Sequence, residues 1–236
     1  MKTYRGTLTV LALFLWLATI ESAWARAGGG GGGSGRGGWL SIIALPFVII
    51  YSAIVTHQVR KKSKACKELL ARLEKLDPTW DIDAIRHRID EVFFKVQQAW
   101  MARDQNLAKG CMSEAIFQKH KLQTDHLIEE HHKNMLENIN LIQTDIVDVE
   151  DFLDNRKDRF WAHIKGSMID YTIDDTNDRV VSGNNTKAET FTELWKFIRV
   201  GNTWVLDEID QSVSLSDLKG FEAKSDSGAS VDSGAT

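Results

Sequence analysis

Five residues with metal-binding side chains lie close together in the 236-residue chain: His126, Glu129, Glu130, His131 and His132. Glu129 and His132 have the i, i+3 spacing of the Glu-x-x-His motif of di-iron helical bundles. Such a site uses that motif twice and takes further glutamates from facing helices. The chain has no second copy, and the His-Glu-x-x-His zinc signature is absent. The pattern favours a solvated helix face, and we expect no metal or other cofactor.

Four aspartates form a second cluster with possible chemistry: Asp170, Asp174, Asp175 and Asp178. A carboxylate that reaches an enclosed pocket could serve as a general base. Aspartate is also common in turns, where its side chain bonds to nearby backbone. Two interpretations therefore remain: turn residues in a protein that is not an enzyme, or, as the alternative, an enzyme of the isomerase or hydratase type.

Along the chain, the first elements predicted to position these residues are helices. Asp81 fits an N-cap, and apolar residues recur at helical spacing from there to Trp100. A short helix ends near Gly110, and a longer one is predicted over residues 113–133, beginning at Ser113.

Strand patterns follow the helices. Alternation predicts strands over residues 140–149, 159–173, 189–200 and 203–211, with residues 174–186 as a polar connection. Gly201-Asn202 is a hairpin signal. Helices followed by such strands predict an α+β fold, in which helices pack on a curved antiparallel sheet that closes into a cone around a cavity.

Large apolar side chains from these elements are expected inside the cone. Two roles remain open for them, ordinary core and the lining of a pocket for an acyl chain or an apolar peptide segment. The residues are Phe93, Val96, Trp100, Trp161, Trp195, Phe197 and Trp204.

The N-terminal part of the chain is typical of a membrane protein. Residues 1–25 have the order of a signal peptide, with Lys2 and Arg5 before an apolar run and Ala23-Trp24-Ala25 at its end. A Gly-rich linker is predicted over residues 26–38. Residues 39–56 contain no charged side chain and predict a single transmembrane helix.

A basic segment follows the predicted span. Residues 57–76 hold seven basic and two acidic side chains, whereas residues 77–236 carry a net charge of −12. Basic residues beside a span favour the cytoplasmic side, so we expect a single-pass protein of a bacterial inner membrane with a cytoplasmic domain. The segment is predicted to form an amphipathic stalk that binds anionic phospholipid, and the acidic domain argues against nucleic acid. The expected headgroup ligands are Arg60, Lys61, Lys62, Lys64 and Lys67.

The last segment, residues 212–236, is rich in Ser, Asp, Gly and Ala. Its composition predicts a disordered tail.

Three motifs carry a resemblance to a known family. They are Phe93-x-x-Val96-Gln97-x-Ala99-Trp100 followed by Asp104, then Glu193-x-Trp195-x-Phe197-x-Arg199, and finally Trp204-x-Leu206. Together, over residues 82–211, they resemble the Tim44-like domain family. The resemblance implies a cone similar to nuclear transport factor two.

In mitochondria, members of that family are peripheral inner-membrane proteins that bind acidic phospholipid and tether a heat-shock chaperone to the presequence translocase. This chain differs in having a predicted span of its own and only about twenty residues in place of the long chaperone-binding segment. The resemblance implies a membrane-anchored binding or tethering module, with a partner such as a translocase or a chaperone. It links the chain to protein translocation or membrane protein biogenesis.

Overall fold

The computed structural model describes the backbone of residues 38–226 and the side chains of residues 48–226. The predicted signal peptide (1–25) and all of the predicted linker except residue 38 lie outside the described residues. The first part of the predicted span (39–56) lies outside the described side chains. Within the described part of the chain, no helix is long and apolar enough to cross a membrane.

The domain contains four α-helices and six strands within the described residues. The helices are α1 (Gly38–Leu73), α2 (Ile82–Ala102), α3 (Glu114–Glu129) and α4 (Leu215–Gly220). The strands are β1 (His132–Asp151), β2 (Arg159–Asp174), β3 (Arg179–Gly183), β4 (Glu189–Val200), β5 (Thr203–Asp210) and β6 (Ala223–Ser225). Short 3-10 helices lie at Pro78–Trp80, Gln105–Cys111 and Asn155–Lys157.

Helix α2 agrees with the sequence prediction. The Asp81 carboxylate accepts a hydrogen bond from the Ala84 backbone N–H at 2.6 Å, which satisfies an N–H group that the helix itself leaves free. The helix ends at Ala102, and its C-cap residue Arg103 has a left-handed φ of 53°.

The boundary between α3 and β1 differs from the prediction. Helix α3 begins after the Ser113 cap as expected, but it ends at Glu129 instead of residue 133, and β1 begins at His132 instead of residue 140. His131 has a left-handed φ of 56°, and His132 pairs with Asp174 on β2. This pairing joins residues far apart in sequence, so no local pattern reveals it.

The sheet has the order β5-β4-β2-β1-β6, with β3 paired to β2 beyond the end of β4. The pairs among β1 to β5 are antiparallel, and the predicted β4–β5 hairpin is present, with a φ of 61° at Gly201. Two corrections follow. The predicted polar connection (174–186) contains β3, and the sheet is mixed because β6 runs parallel to β1.

The predicted stalk (57–76) is part of the domain core. Cys66, Leu69, Leu70 and Leu73 are buried in the main apolar cluster, and Val59 belongs to a second, smaller cluster. One face of this segment is thus covered by the domain. Its amphipathic pattern therefore marks packing against the domain and not a free stalk.

The predicted disordered tail also needs correction, for residues 212–226. Leu218 of α4 is completely buried, and the Phe221 ring lies 5.5 Å from that of Trp161. The Glu222 backbone N–H donates to the Asp148 carboxylate at 2.9 Å. We call residues 212–226 the C-terminal strap. Val213, Leu218 and Phe221 of the strap pack in the second cluster with residues of α1 and the sheet, a contact that composition does not reveal. Residues 227–236 lie outside the described residues.

Candidate functional site

An open cavity of about 640 Å³ lies between the sheet, α2 and α3. Its apolar lining comes from both helices and from four strands. The apolar residues are Val96, Trp100, Leu127, Leu136, Met168, Phe191, Trp195 and Ile209. The volume is within the range of about 300–1,000 Å³ that is usual for ligand pockets.

The predicted pocket residues fall into three groups. Val96, Trp100 and Trp195 line the cavity. The other members inside the fold, Phe93, Phe197 and Trp204, are buried in the main core. The predicted lining is thus divided between a cavity wall and ordinary core.

Trp161 was predicted to line the pocket, but its side chain packs with the second cluster and contacts Phe221 of the strap. Its neighbours Phe160 and Ala162 belong to the main core. Successive side chains of a strand point to opposite faces of the sheet. Trp161 therefore lies on the face opposite the cavity.

Glu193 is a polar cavity residue that the sequence analysis did not select. Its carboxylate accepts a hydrogen bond from Trp195 Nε1 at 2.8 Å and another from Gln211 Nε2 at 3.1 Å. These two donors hold the carboxylate in one orientation at the cavity wall. The only signal in the sequence was its place in the Glu193-x-Trp195 motif.

His120 is a second cavity residue that the sequence analysis missed. Its ring is 8% exposed and lies at 73° to the Trp100 ring, with centroids 5.5 Å apart. Burial lowers the pKa of His120 to about 4, so the imidazole is neutral at pH 7. Within the described part of the chain, its buried Nδ1 atom has no hydrogen-bond partner.

The four predicted aspartates have different positions. Asp170 lines the cavity and accepts a hydrogen bond from Asn134 Nδ2 at 2.7 Å. Asp174 accepts from the Thr176 backbone in the following turn, Asp175 pairs with Arg103 at 2.6 Å, and Asp178 has a left-handed φ. Only Asp170 of the four lines the cavity.

The histidines of the histidine and glutamate cluster lie close to carboxylates at the surface of the domain. Glu130 lies 3.3 Å from His126 Nε2 and 3.3 Å from His132 Nδ1, while His131 Nδ1 lies 3.6 Å from Asp175. No group of three potential ligands that could hold a metal ion is present among the residues that the structure describes.

The five predicted headgroup ligands are not equivalent. Arg60, Lys61, Lys64 and Lys67 are exposed on α1, and we call these four the basic row. Lys62 is partly buried, and its Nζ donates to the Phe221 carbonyl of the strap.

Contacts along α1 define its direction relative to the sheet. Ser63 contacts Asp145 on β1, whereas Leu73, ten residues later, shares a small pocket with Asp151 and Phe152 at the end of β1. The two elements therefore run in the same direction. The N-terminal end of α1 lies at the end of the domain where β1 begins, and the cavity lies at that end too, since Asn134 and Leu136 line it.

Helices packed on a curled mixed sheet, with an open cavity between the sheet, α2 and α3, define a small α+β domain. A family model described as the Tim44-like domain matches residues 66–211. The chain belongs to the Tim44-like domain family, and the match begins earlier than the predicted residue 82 because the end of α1 is part of the domain. Tim44-like domains are generally non-catalytic.

Among solved structures, the chain is similar to the intermembrane space region of the chloroplast protein ARC6. The two share 10% identity with a TM-score of 0.38, over 54% of this chain and 96% of that one. No curated protein matches this sequence.

Proposed function

We propose that this protein is a membrane-anchored binding and tethering module. Residues 39–56 anchor it in a bacterial inner membrane, the domain lies in the cytoplasm, and the basic row binds anionic phospholipid headgroups. The domain holds a protein partner near the membrane, of the translocase or chaperone kind. The observation that carries this proposal is the basic row itself, four exposed cationic side chains on the helix that continues from the apolar segment.

The geometry of α1 supports this role. Val48, Ile49, Ile50 and Ile54 are exposed apolar residues on the same helix, just before the basic row. Exposed apolar side chains in a row are unfavourable in water and are expected where a helix meets lipid. The domain core holds the next part of α1, so the position of the basic row relative to the anchor is set by one continuous helix.

The lipid interaction can be tested with the full chain in detergent and added phosphatidylglycerol, by counting bound lipids with native mass spectrometry. Replacing Arg60, Lys61, Lys64 and Lys67 by Gln should weaken lipid binding at least tenfold, because each cation near anionic headgroups contributes about 1 kcal/mol. A matched control removes four other exposed charges, Lys157, Lys165, Lys187 and Lys219. Equal binding by the two variants would refute the lipid part of the proposal.

The topology has its own test. A fluorescent reporter that matures only in the cytoplasm, fused after residue 236, should be bright, and the protein should resist alkaline extraction from membranes. Placing four Asp residues within residues 42–53 should release it. A dark reporter would refute the cytoplasmic position.

The tethering part requires a protein partner. Photo-reactive residues at the exposed positions Phe94 and Leu122 should crosslink the same partner in intact membranes. The four-Gln variant should reduce this crosslink, because it weakens the contact of the domain with the membrane surface. If both positions gave only scattered, different products, the tethering role would be wrong.

The enzyme alternative has weaker support in the geometry. Glu193 places a carboxylate in the cavity, with His120 as a second polar lining residue. A general acid or base is most effective when its pKa is close to the working pH. Burial lowers the pKa of His120 to about 4, so this imidazole exchanges protons poorly near pH 7. Its ring suits hydrogen bonding to a bound molecule better than proton transfer.

A further inference from the structure

The C-terminal strap covers an apolar surface on the face of the sheet opposite the cavity. Leu218 of the strap is buried there, between α1 and the sheet. We call the residues under it the strap surface: Val55 and Val59 of α1, Val147 of β1, Trp161 of β2 and Leu194 of β4. Four elements of the domain therefore form a surface that the end of the same chain occupies.

An irregularity in β1 places two neighbouring side chains against the strap. Val147 packs in the cluster around Leu218, and the Asp148 carboxylate accepts the Glu222 backbone N–H at 2.9 Å. Successive side chains of a regular strand point to opposite faces of a sheet. The register of β1 with β2 shifts between Ile146 and Asp148, and a bulge of this kind redirects a side chain. β1 therefore offers the strap an apolar contact and a buried acceptor side by side.

The strap is also held through its backbone. Its strand β6 adds to the edge of β1 as a parallel strand. The Asp226 N–H donates to the Asp151 carbonyl at 2.9 Å, and Lys62 of α1 donates to the Phe221 carbonyl. When a peptide adds to the edge of a sheet, main-chain bonds supply affinity and side-chain pockets supply specificity. The backbone contacts therefore suit any extended segment, and the pocket for Leu218 selects its sequence.

Two observations indicate that the strap is a replaceable occupant of this surface. The family match ends at residue 211, so the Tim44-like domain is matched without the strap. Among the strap residues, all of which the structure describes, Leu218 alone is buried, whereas Val213 and Phe221 are partly exposed. Burial of one leucine is a small gain against the conformational entropy of an ordered segment. The strap is therefore held less firmly than the core helices and strands.

We propose that the strap surface is a docking site for a partner protein that inserts a segment with the chemistry of the strap. This segment has a leucine in a short helix, an aromatic residue three positions later, and then an extended stretch. The leucine takes the place of Leu218, the aromatic ring packs on Trp161 as Phe221 does at 5.5 Å, and the extended stretch pairs with the edge of β1. The inference rests on the proposed tethering role and names the chemistry of the partner segment.

The first test uses the full chain in detergent and a fluorescent synthetic peptide with the sequence of residues 212–226. Fluorescence anisotropy measures its binding to the natural protein and to Leu218→Ala. The variant should bind the peptide at least tenfold more tightly, because the attached strap competes in the natural protein at an effective concentration of about 1 mM and loses its buried leucine in the variant. A control peptide with Leu218→Ser and Phe221→Ser should bind at least tenfold more weakly.

Variants of the surface test where the peptide binds, each in the Leu218→Ala background. Trp161→Ala should weaken the peptide at least tenfold, whereas Tyr171→Ala, on the same strand but at the cavity, should leave it unchanged. Lys62→Met is a second variant at a partly buried position, and it should weaken the peptide because the bond to the carbonyl of residue 221 is lost. Its exposed neighbour Lys61→Met should not. Thermal unfolding shows that each variant is folded.

The partner is tested in inverted membrane vesicles with a photo-reactive residue in place of Trp161. In the Leu218→Ala background, this position should crosslink one discrete protein. The added strap peptide should abolish the crosslink, and the Ser-substituted control peptide should not. In the natural background the crosslink should form within the chain, to the strap.

Three results would overturn the inference. The first is equal binding of the strap peptide and its control to Leu218→Ala. The second is a crosslinked product from position 161 that contains a second copy of this chain, which would make the strap an element exchanged between copies. The third is crosslinking to lipid alone, which would make the surface a membrane contact. Crosslinks from Phe94 and Leu122 test the tethering role separately, so its failure and that of the strap surface are distinguishable.

Discussion

The Ser63 hydroxyl of α1 donates a hydrogen bond to the Asp145 carboxylate of β1 across 3.2 Å. This contact joins α1 to β1, which lies between β2 and β6 in the sheet. Gln143 also donates to the Asp145 side chain, so the carboxylate is held from two sides. The helix that carries the basic row is therefore fixed to the domain and has a defined direction relative to the cavity.

The packing of α1 leads to a first prediction about stability. Leu70→Ala should lower the free energy of unfolding by about 2–5 kcal/mol, because the Leu70 side chain is fully buried. Leu76→Ala is the matched control, since that side chain is 65% exposed and should cost less than about 1 kcal/mol. Thermal or denaturant unfolding of the full chain in detergent measures both. Equal effects would mean that α1 is a free stalk after all.

A second prediction concerns a buried charge cluster. The Arg199 guanidinium donates to Asp77, to Asp158 at 3.1 Å and to the Thr79 hydroxyl at 3.1 Å. Arg199→Met should destabilise the domain by about 3–5 kcal/mol, because Asp158 is completely buried and would lose its cation.

Arg156 provides the comparison, since its exposed ion pair with Asp154 should contribute at most about 1 kcal/mol. If Arg156→Met and Arg199→Met lowered the free energy of unfolding equally little in denaturant, the charge cluster around Arg199 would contribute little to stability.

The C-terminal strap gives a third prediction. Leu218→Ala should detach residues 212–226 from α1 and the sheet, because Leu218 is the fully buried apolar residue of the strap in the second cluster. Limited proteolysis should then cut this segment rapidly, whereas the Tim44-like core ending at residue 211 stays intact. Ser216→Ala, an exposed change in the same helix, should leave the cleavage rate unchanged. Equal cleavage of both variants would contradict the packing of the strap.

Asp148 leads to a fourth prediction, on pH. Burial raises the pKa of Asp148 from 3.8 to about 6, although the Glu222 N–H group partly offsets this. The folded state therefore binds more protons than the unfolded state between about pH 4 and 6, so this group makes stability fall as pH rises through that window. Asp148→Asn should be more stable than the natural protein at pH 7.5, by on the order of 1–3 kcal/mol. Denaturant unfolding at pH 4.5 and 7.5 measures the difference; an equal effect at both pH values would be contrary evidence.

His120 should have the opposite pH dependence. Its pKa is lowered from 6.5 to about 4 by burial, with a smaller contribution from Lys119, so the unfolded state binds more protons in that window. Its contribution to stability is therefore present above pH 6.5 and is lost as pH falls through 6.5 towards 4. His120→Asn should reduce this loss on acidification, measured by unfolding at pH 7 and 5. The His126→Asn change, on an exposed ring, should not.

Local signals explain where the sequence prediction was right. The Asp81 cap and the helical spacing of α2 each act within a few residues, as does Gly201 in the β4–β5 hairpin. The structure contains both the helix and the hairpin. The family motifs were equally readable, because they combine the spacing of aromatic residues on α2, β4 and β5.

Long-range packing explains the errors. The β1 residues after His132 pair with β2, and β3 becomes a strand through its contact with β2. Trp161 resembled an inner residue because the large size of its side chain favours burial on either face of a sheet. Glu193 and His120 were missed because an ordinary glutamate and an ordinary histidine become cavity residues only through the elements around them.

The sequence alone determined the class of protein, the succession of α2, α3, β1, β2, β4 and β5, and the basic segment of α1, because these depend on composition and on periodicity along the chain. The tertiary structure decided which lysine contacts the strap, which tryptophan lies on the face opposite the cavity, and which carboxylates line the cavity. Those outcomes depend on contacts such as that of Lys62 with Phe221, which are 159 residues apart. Contacts over such distances arise only when the whole chain has folded.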